Sequence, residues 1–167
     1  IKASQPFELI GMDFIGPLRT TKRGKRFILV ITDYFTKWPE AYALKDSTAE
    51  QVADVLVKKF IPRHGVPLSI LTDQGSQFNS KLIKEILNIM KTKKMETTAY
   101  HPQCDGQVER LNSTIKQLIQ LHCDDNKNDW DEWLPVVLFA YRRTQNPVTG
   151  YSPFFLLHGC EPNVPID

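Results

Sequence analysis

Three carboxylates stand where an apolar pattern meets a polar one, and they limit what this chain can fold into. Asp13 interrupts the apolar run 7–15, Asp73 follows the apolar run 66–72, and Glu109 lies near the start of a helical pattern. A carboxylate in an apolar strand is costly unless it is paired or binds a metal. Converging carboxylate oxygens suit hard cations such as Mg2+, and two such ions can serve an in-line phosphoryl transfer. The three acids therefore predict metal-dependent phosphoryl-transfer chemistry.

The rest of the pattern predicts an α/β fold. Strands are predicted over 7–15, 27–32, 38–44, 66–72 and 95–99, and helices over 48–61, 79–91, 107–122 and 129–143. This order predicts a five-stranded mixed sheet flanked by helices. Ser47 is predicted to cap the first helix in a capping box with Glu50. Residues 100–106 are predicted to form a mobile loop, because they contain a proline and a glycine.

Length and composition exclude several classes of protein. A chain of 167 residues fits a single domain, with residues 1–6 as a lead-in and about 155–167 as a C-terminal tail. Three cysteines without a CxxC pair and four scattered histidines weigh against a disulfide scaffold and a zinc site. No apolar run is long enough to span a membrane. The net charge of +2 is too small to establish nucleic-acid binding by itself. The first residue is not methionine, and we expect a fragment of a longer protein.

Each acid also has an ordinary structural interpretation. Asp73 lies two residues before a glycine and could form an Asx-turn. Glu109, Asn112 and Lys116 follow one another at helical spacing, and such a row is often only a solvent-exposed face. Asp33 also ends an apolar strand, and we assign it a structural role in a hairpin connection. Asp13 is harder to explain structurally, because no turn residue follows it directly.

The spacing of the acids resembles a known family. Between Asp73 and Glu109 lie 35 residues, and this D,D(35)E spacing is similar to the signature of retroviral and retrotransposon integrases. Five segments resemble that family in the right order, namely 12–18, 31–38, 72–78, 99–112 and 149–154. The resemblance is greatest to gypsy-type LTR retrotransposons and implies an RNase H-like fold. Cys104 is a departure, since a small hydroxyl residue is usual at that position.

The resemblance implies an enzyme and assigns roles to its residues. The activity would be that of an integrase catalytic core, which trims the 3′ end of element DNA and joins it to target DNA. Asp13 would bridge two Mg2+ or Mn2+ ions, with Asp73 on one ion and Glu109 on the other. The family positions near DNA are matched by Tyr100, Pro102, Gln103, Asn112 and Lys116 at the element end, and by Ser76 at the target.

The resemblance also implies partners and a location. Double-stranded DNA would be the substrate, and a homodimer or larger assembly is expected, because two DNA ends must be processed. The helix over 129–143 and the helix over 48–61 are both candidates for the interface. The nucleus is the expected location, after synthesis in the cytoplasm. The zinc-binding and C-terminal DNA-binding domains of the family are not found in this chain, which is therefore expected to be an isolated core domain.

Other interpretations stay open at this point. A domesticated integrase could keep the fold and the acids yet serve as a DNA- or protein-binding module without integration activity. A different nuclease on the same fold, such as a ribonuclease H, is disfavoured by the 35-residue spacing. A purely structural scaffold would leave the charge of Asp13 unexplained.

Overall fold

Five strands and six helices make up the described part of the chain. The computed structural model describes residues 3–96, 102–122 and 128–165, and within 102–122 it describes the side chains of 110–120 only. The strands are β1 (Leu9–Ile15), β2 (Phe27–Asp33), β3 (Pro39–Leu44), β4 (Ser69–Thr72) and β5 (Lys93–Glu96). The helices are α1 (Ala49–Val55), α2 (Ile61–His64), α3 (Lys81–Ile89), α4 (Pro102–His122), α5 (Trp130–Arg143) and α6 (Pro153–His158). A π-helical turn, Leu56–Phe60, joins α1 to α2.

The sheet places β1 at its centre. The strand order is β3-β2-β1-β4-β5. The strands β1, β2 and β3 pair antiparallel, whereas β4 runs parallel to both β1 and β5. The mixed five-stranded sheet predicted from the sequence is therefore confirmed. A central strand is flanked on both edges and covered on both faces, so an acid within it is held in a fixed environment.

Two hydrophobic cores lie on opposite faces of this sheet. Ile10 and Met12 of β1 belong to the core under α1 and α3, and Ile15 belongs to the core under α4 and α5. Successive side chains of a strand point to opposite faces. Asp13 therefore shares the face of Ile15 and points toward the helices α4 and α5.

The first helix begins one residue later than predicted. Thr48 is its N-cap, in an extended conformation, and its hydroxyl accepts a hydrogen bond from the backbone N–H of Gln51. The predicted capping box of Ser47 and Glu50 is therefore wrong. Ser47 and Thr48 are adjacent hydroxyl residues, and either side chain could act as an N-cap. Because the helix begins at Ala49, Thr48 is the residue that caps it.

Other boundaries also differ from the predictions. The helix α4 begins at Pro102, so much of the predicted 100–106 loop is helical; proline suits a first helical turn because its missing N–H would have no partner there. The strand β5 covers Lys93–Glu96, so it begins two residues before the predicted 95–99, where Lys93 pairs with Ser69 of β4; residues 97–99 of the predicted strand lie outside the described residues. The short helix α6 was not predicted; it begins two residues before the predicted tail and ends within it, at His158.

A buried ionic cluster ties β3 to α2 and α5. Glu40 is 3% exposed, and its Oε1 lies 2.7 Å from His64 Nε2 and accepts a hydrogen bond from Trp38 Nε1 at 3.1 Å. Arg142 lies 3.0 Å from the second carboxylate oxygen. Burial acts to raise the pKa of Glu40, but the hydrogen bond with His64 and the charge of Arg142 outweigh it, so the pKa lies below its usual value. The cluster thus holds a charged carboxylate inside the fold.

None of the helices in the described ranges combines the length and the apolar character that a membrane crossing requires.

Candidate active site

Asp13 is the centre of the candidate site. It lies in β1 opposite Val30 of β2, and its side chain is partly buried. Its Oδ1 accepts a hydrogen bond from the backbone N–H of Phe14 at 2.8 Å. Its Oδ2 accepts one from Asn112 Nδ2 at 2.5 Å. Both carboxylate oxygens are therefore oriented, one by the strand itself and one by the helix α4 packed on it.

Asp73 is brought beside Asp13 by the register of two parallel strands. Met12 of β1 pairs with Thr72 of β4, so the next residue of each strand is one of the two acids. Asp73 is exposed, and its Oδ1 accepts a hydrogen bond from the backbone N–H of Gly75 at 2.9 Å. The Asx-turn considered from the sequence is thus present. It positions the carboxylate without burying it, so the turn and a functional role are compatible.

Gly75 lies close to two side chains in this turn. A Cβ at that position would lie 2.9 Å from Asp73 Oδ1 and 2.5 Å from the side-chain nitrogen of Gln77. A larger residue would therefore displace the carboxylate of Asp73 or the side chain of Gln77.

The helix α4 contributes an amide and a cation to the site. Asn112 is 7% exposed and donates to Asp13, and Lys116 is exposed one turn further along. The charge of Lys116 reaches Asp13 and acts to lower its pKa. Glu109 lies one turn before Asn112 in the same helix, although its side chain is outside the described set. The helical row predicted from the sequence therefore faces β1 at Asn112.

The electrostatic environment of Asp13 disfavours its charged form. Its pKa is raised, first because burial removes water and also because the charge of Asp73 lies nearby. The hydrogen bonds from Phe14 and Asn112 and the charge of Lys116 oppose this shift but do not cancel it. Two neighbouring carboxylates without a compensating cation repel one another. The arrangement has the chemistry of a cation site.

The other predicted site residues are distributed as follows. Ser76 is exposed in the turn that follows Asp73. Pro102 and Gln103 lie in the first turn of α4, and their side chains, like all of Tyr100, are outside the described residues. Among the described side chains, no group of three His, Cys, Asp or Glu residues could hold a metal ion. This search leaves out the predicted third acid, whose role stays a prediction.

Two features of the structure were not predicted from the sequence. Asn112 was predicted to bind DNA, and the structure adds a bond to Asp13 that the helical row alone did not indicate. The buried cluster around Glu40 was not predicted, although an acid between the apolar residues of β3 was a signal for it.

Asp33 is structural, as predicted, because it accepts hydrogen bonds from the backbone N–H groups of Phe7 and Thr36.

Comparison with known families and proteins places this geometry in context. Residues 3–102 match the family described as "Integrase core domain". The chain is 30% identical over 159 residues to the retrovirus-related Pol polyprotein from transposon 412 of Drosophila melanogaster, covering 95% of this chain and 13% of that protein. It is 37% identical over 140 residues to the Gag-Pol polyprotein of feline leukemia virus, covering 83% and 8%.

A third curated relative is the gypsy retrotransposon integrase-like protein 1 of Bos taurus. It is 30% identical over 165 residues, which are 99% of this chain and 33% of that protein. The chain thus spans no more than 33% of the length of these three relatives.

Solved structures show the fold. The HTLV-2 integrase catalytic core domain in complex with magnesium (trimeric form) has a TM-score of 0.76 at 22% identity, over 94% of this chain and 100% of that chain. A chain of the simian T-cell lymphotropic virus intasome in complex with PP2A regulatory subunit B56 gamma has a TM-score of 0.81 at 22% identity, over 100% and 60%. The predicted RNase H-like fold is therefore confirmed.

Proposed function

This chain belongs to the integrase core domain family, and from that premise we propose that it is the catalytic core of an integrase. The proposed reaction is metal-dependent trimming of the 3′ end of element DNA, followed by joining of that end to target DNA. One observation supports the proposal most strongly: Asp13, Asp73, Asn112 and Lys116 converge where α4 packs on β1. We further propose that residues 1–167 form this one domain and that it acts in the nucleus.

The residues at the site fit a hard divalent cation. Asp13 is desolvated and lies beside a second carboxylate, so a bound cation would relieve both penalties on its charged form. Asp13, Asp73 and Glu109 are proposed to hold Mg2+ or Mn2+, two ions per site, and a protein of the same fold was solved with magnesium. When bound, the ions would supply activation of the attacking oxygen and stabilisation of developing negative charge.

The residues of the chain itself supply orientation and DNA contacts. Asn112 and the backbone N–H of Phe14 fix the two oxygens of Asp13, so this carboxylate is held before any ligand binds. Lys116 is exposed on the same face of α4 and can pair with a DNA phosphate, which would make binding depend on salt. Ser76 is exposed beside Asp73 and is proposed to lie near target DNA.

The other proposed DNA contacts lie just before or within the first turn of α4. Tyr100, Pro102 and Gln103 precede Asn112 and Lys116 in the chain. They are proposed to contact the element end, on the strength of the family resemblance alone.

Excess Mg2+ is expected to raise the melting temperature of the protein, because the cation offsets the repulsion between Asp13 and Asp73. At ten times the dissociation constant, binding contributes about 1.4 kcal/mol, or about 3–5 °C for a domain of this size. The shift is measured by calorimetry with Mg2+ and with EDTA. It should be lost in Asp13→Asn and kept in Asp54→Asn, an exposed control paired with Lys58. If Mg2+ raised the melting temperature of Asp13→Asn as much as that of the parent, the cation would bind at another site.

The surface of α5 supports a homodimer or larger assembly. Three large apolar residues are exposed at spacings of three along this helix, namely Trp133, Val136 and Phe139. The other candidate for the interface is the segment 48–61. Among its described residues, the exposed large apolar side chain is that of Val57. A contiguous exposed apolar patch can mark a site of protein–protein contact. We therefore propose that α5 forms the main interface.

Val136→Asp is expected to weaken self-association about tenfold or more, because it buries an unpaired carboxylate in the proposed interface. Sedimentation equilibrium measures the effect. Val66→Asp is the matched control, since Val66 is 46% exposed, Val136 is 49% exposed, and Val66 lies outside α5. Equal weakening by both variants, or none by Val136→Asp, would exclude the α5 interface.

A branched DNA substrate tests the proposed function. In the presence of Mn2+, the chain is expected to rejoin the strands of the substrate, which reverses strand joining and makes few demands on flanking domains. EDTA should stop the reaction. Salt-dependent DNA binding without any product would instead favour a binding module derived from an integrase.

A further inference from the structure

A cavity of about 600 Å³ lies between α4, α5 and the connection from β2 to β3. The face of α4 that lines it carries Arg110, Thr114 and Leu118. Each helical residue turns by about 100° from the one before it. By this periodicity, the cavity lies on the opposite side of α4 from Asn112 and Lys116. The cavity is therefore separate from the candidate active site, although both contact the same helix.

A buried hydroxyl in this cavity has no hydrogen-bond partner. Thr32 is 6% exposed and lines the cavity, and its Oγ1 is buried and unpaired within the described part of the chain. A buried polar group that is left without a partner is destabilising. Because this Oγ1 is closed off from the open space, it makes no contact with a ligand there, and the polar end of a ligand is indicated by the cations of the wall instead.

The charged groups at the cavity are cations. Arg110 and Lys37 line it, and none of the described lining residues is acidic. The ammonium group of Lys37 also donates to the backbone carbonyl of Tyr34. Burial raises the pKa of Tyr141, another lining residue, and the hydrogen bond with Asn146 and the charge of Arg110 oppose the shift, which is consistent with Arg110 lying near Tyr141 at the wall of the cavity. An anionic group would therefore be favoured near Arg110.

The rest of the wall is largely apolar. Leu111 and Leu118 contribute from α4, Ala140 from α5, and Pro147 and Val148 from the segment after α5. A pocket of about 300–1,000 Å³ with apolar walls and a few polar groups is typical of a small-molecule site. The volume and the lining match that description.

We propose that this cavity binds an amphipathic organic anion, with its acidic group near Arg110 and an aromatic or aliphatic body between α4 and α5. The inference does not depend on integrase activity, since it concerns binding alone. A ligand there would hold the face of α4 opposite the proposed active site and would increase thermal stability by mass action.

The test uses a pair of fluorescent probes with similar rings. 8-Anilinonaphthalene-1-sulfonate carries an anionic group, and N-phenyl-1-naphthylamine lacks it. Arg110→Gln is expected to weaken binding of the anionic probe about fivefold, and to change binding of the neutral probe less than about twofold. Arg143→Gln is the matched control, because it removes an exposed cation of α5 that does not line the cavity. It should change neither probe.

A second variant tests the volume. Ala140→Trp is expected to weaken both probes about tenfold or more by filling the cavity. If its melting curve shows that it does not fold, Thr114→Phe replaces it, with the same expectation. The proposal is overturned by equal effects of Arg110→Gln and Arg143→Gln, by no effect of the volume variant, or by fluorescence that does not saturate.

Discussion

Glu40→Gln is expected to lower the free energy of unfolding by about 3–5 kcal/mol, because it leaves the buried charge of Arg142 without a carboxylate to compensate it. The side chain of Glu40 is 5% exposed and that of Arg142 is 17% exposed, so water can compensate little of the loss. Urea denaturation followed by tryptophan fluorescence measures the change. The cluster lies away from the candidate active site, so the effect should appear as stability.

The control for this prediction is an ion pair at the surface. Glu132 pairs with Arg23, and both side chains are more than half exposed, at 53% and 52%. Glu132→Gln is expected to cost less than about 1 kcal/mol, because exposed pairs contribute little. Similar losses in Glu40→Gln and Glu132→Gln would show that burial of the cluster is energetically unimportant.

The same cluster predicts a dependence of stability on pH. The pKa of Glu40 in the folded state lies below its usual value of 4.5, as set by His64 and Arg142 against the effect of burial. Because the folded value is the lower one, the stabilising contribution of Glu40 is fully present above pH 4.5. It is lost as the pH falls through the folded pKa. Unfolding experiments below pH 4.5 should show a weaker pH dependence in Glu40→Gln than in the parent.

Asp13→Asn is expected to reduce strand joining by about a thousandfold or more, because it removes the charge proposed to hold both cations. Its effect on stability should stay within about 1 kcal/mol. The variant removes a desolvated charge beside Asp73, which favours the folded state. It also replaces one oxygen acceptor of the hydrogen bonds from Phe14 and Asn112, which opposes that gain. Single-turnover rates on branched DNA measure the loss of activity, and a urea titration measures the stability.

The result for Asp13→Asn requires comparison with a variant that loses one negative charge at a position outside the candidate active site. Asp54→Asn removes an exposed carboxylate of α1 and should retain the full joining rate. If Asp13→Asn kept more than about a tenth of the parental rate, the charge of Asp13 would not be essential for the chemistry.

The position of Asp13 could be predicted from the sequence because it depends on local patterns. The apolar run of β1 places the acid in a buried strand, and the period of two assigns its face. The position of Asp73 at the end of a buried strand could be predicted in the same way, from the apolar run of β4. What the sequence could not supply is the register that sets the two acids side by side, since pairing between strands that are distant in the chain is a property of the whole fold.

The contacts that were missed are long-range ones. Asn112 donates to a residue 99 positions earlier, and helical periodicity identifies a face of α4 without saying what that face packs against. Arg142 reaches Glu40 across a similar separation, so the pair could not be anticipated from either segment alone. The N-cap at Thr48 was missed for a different reason, because two adjacent hydroxyl residues are equivalent at the level of sequence.

A strand-joining assay with the parent, Asp13→Asn and Glu109→Gln tests whether the three carboxylates form one metal-dependent joining site. The assay uses branched DNA and Mn2+ and is accompanied by melting curves to show that all three proteins fold. We expect product from the parent and none from either variant. Product from Glu109→Gln at the parental rate would contradict this expectation. So would the absence of product from a folded parent that binds the metal and the DNA.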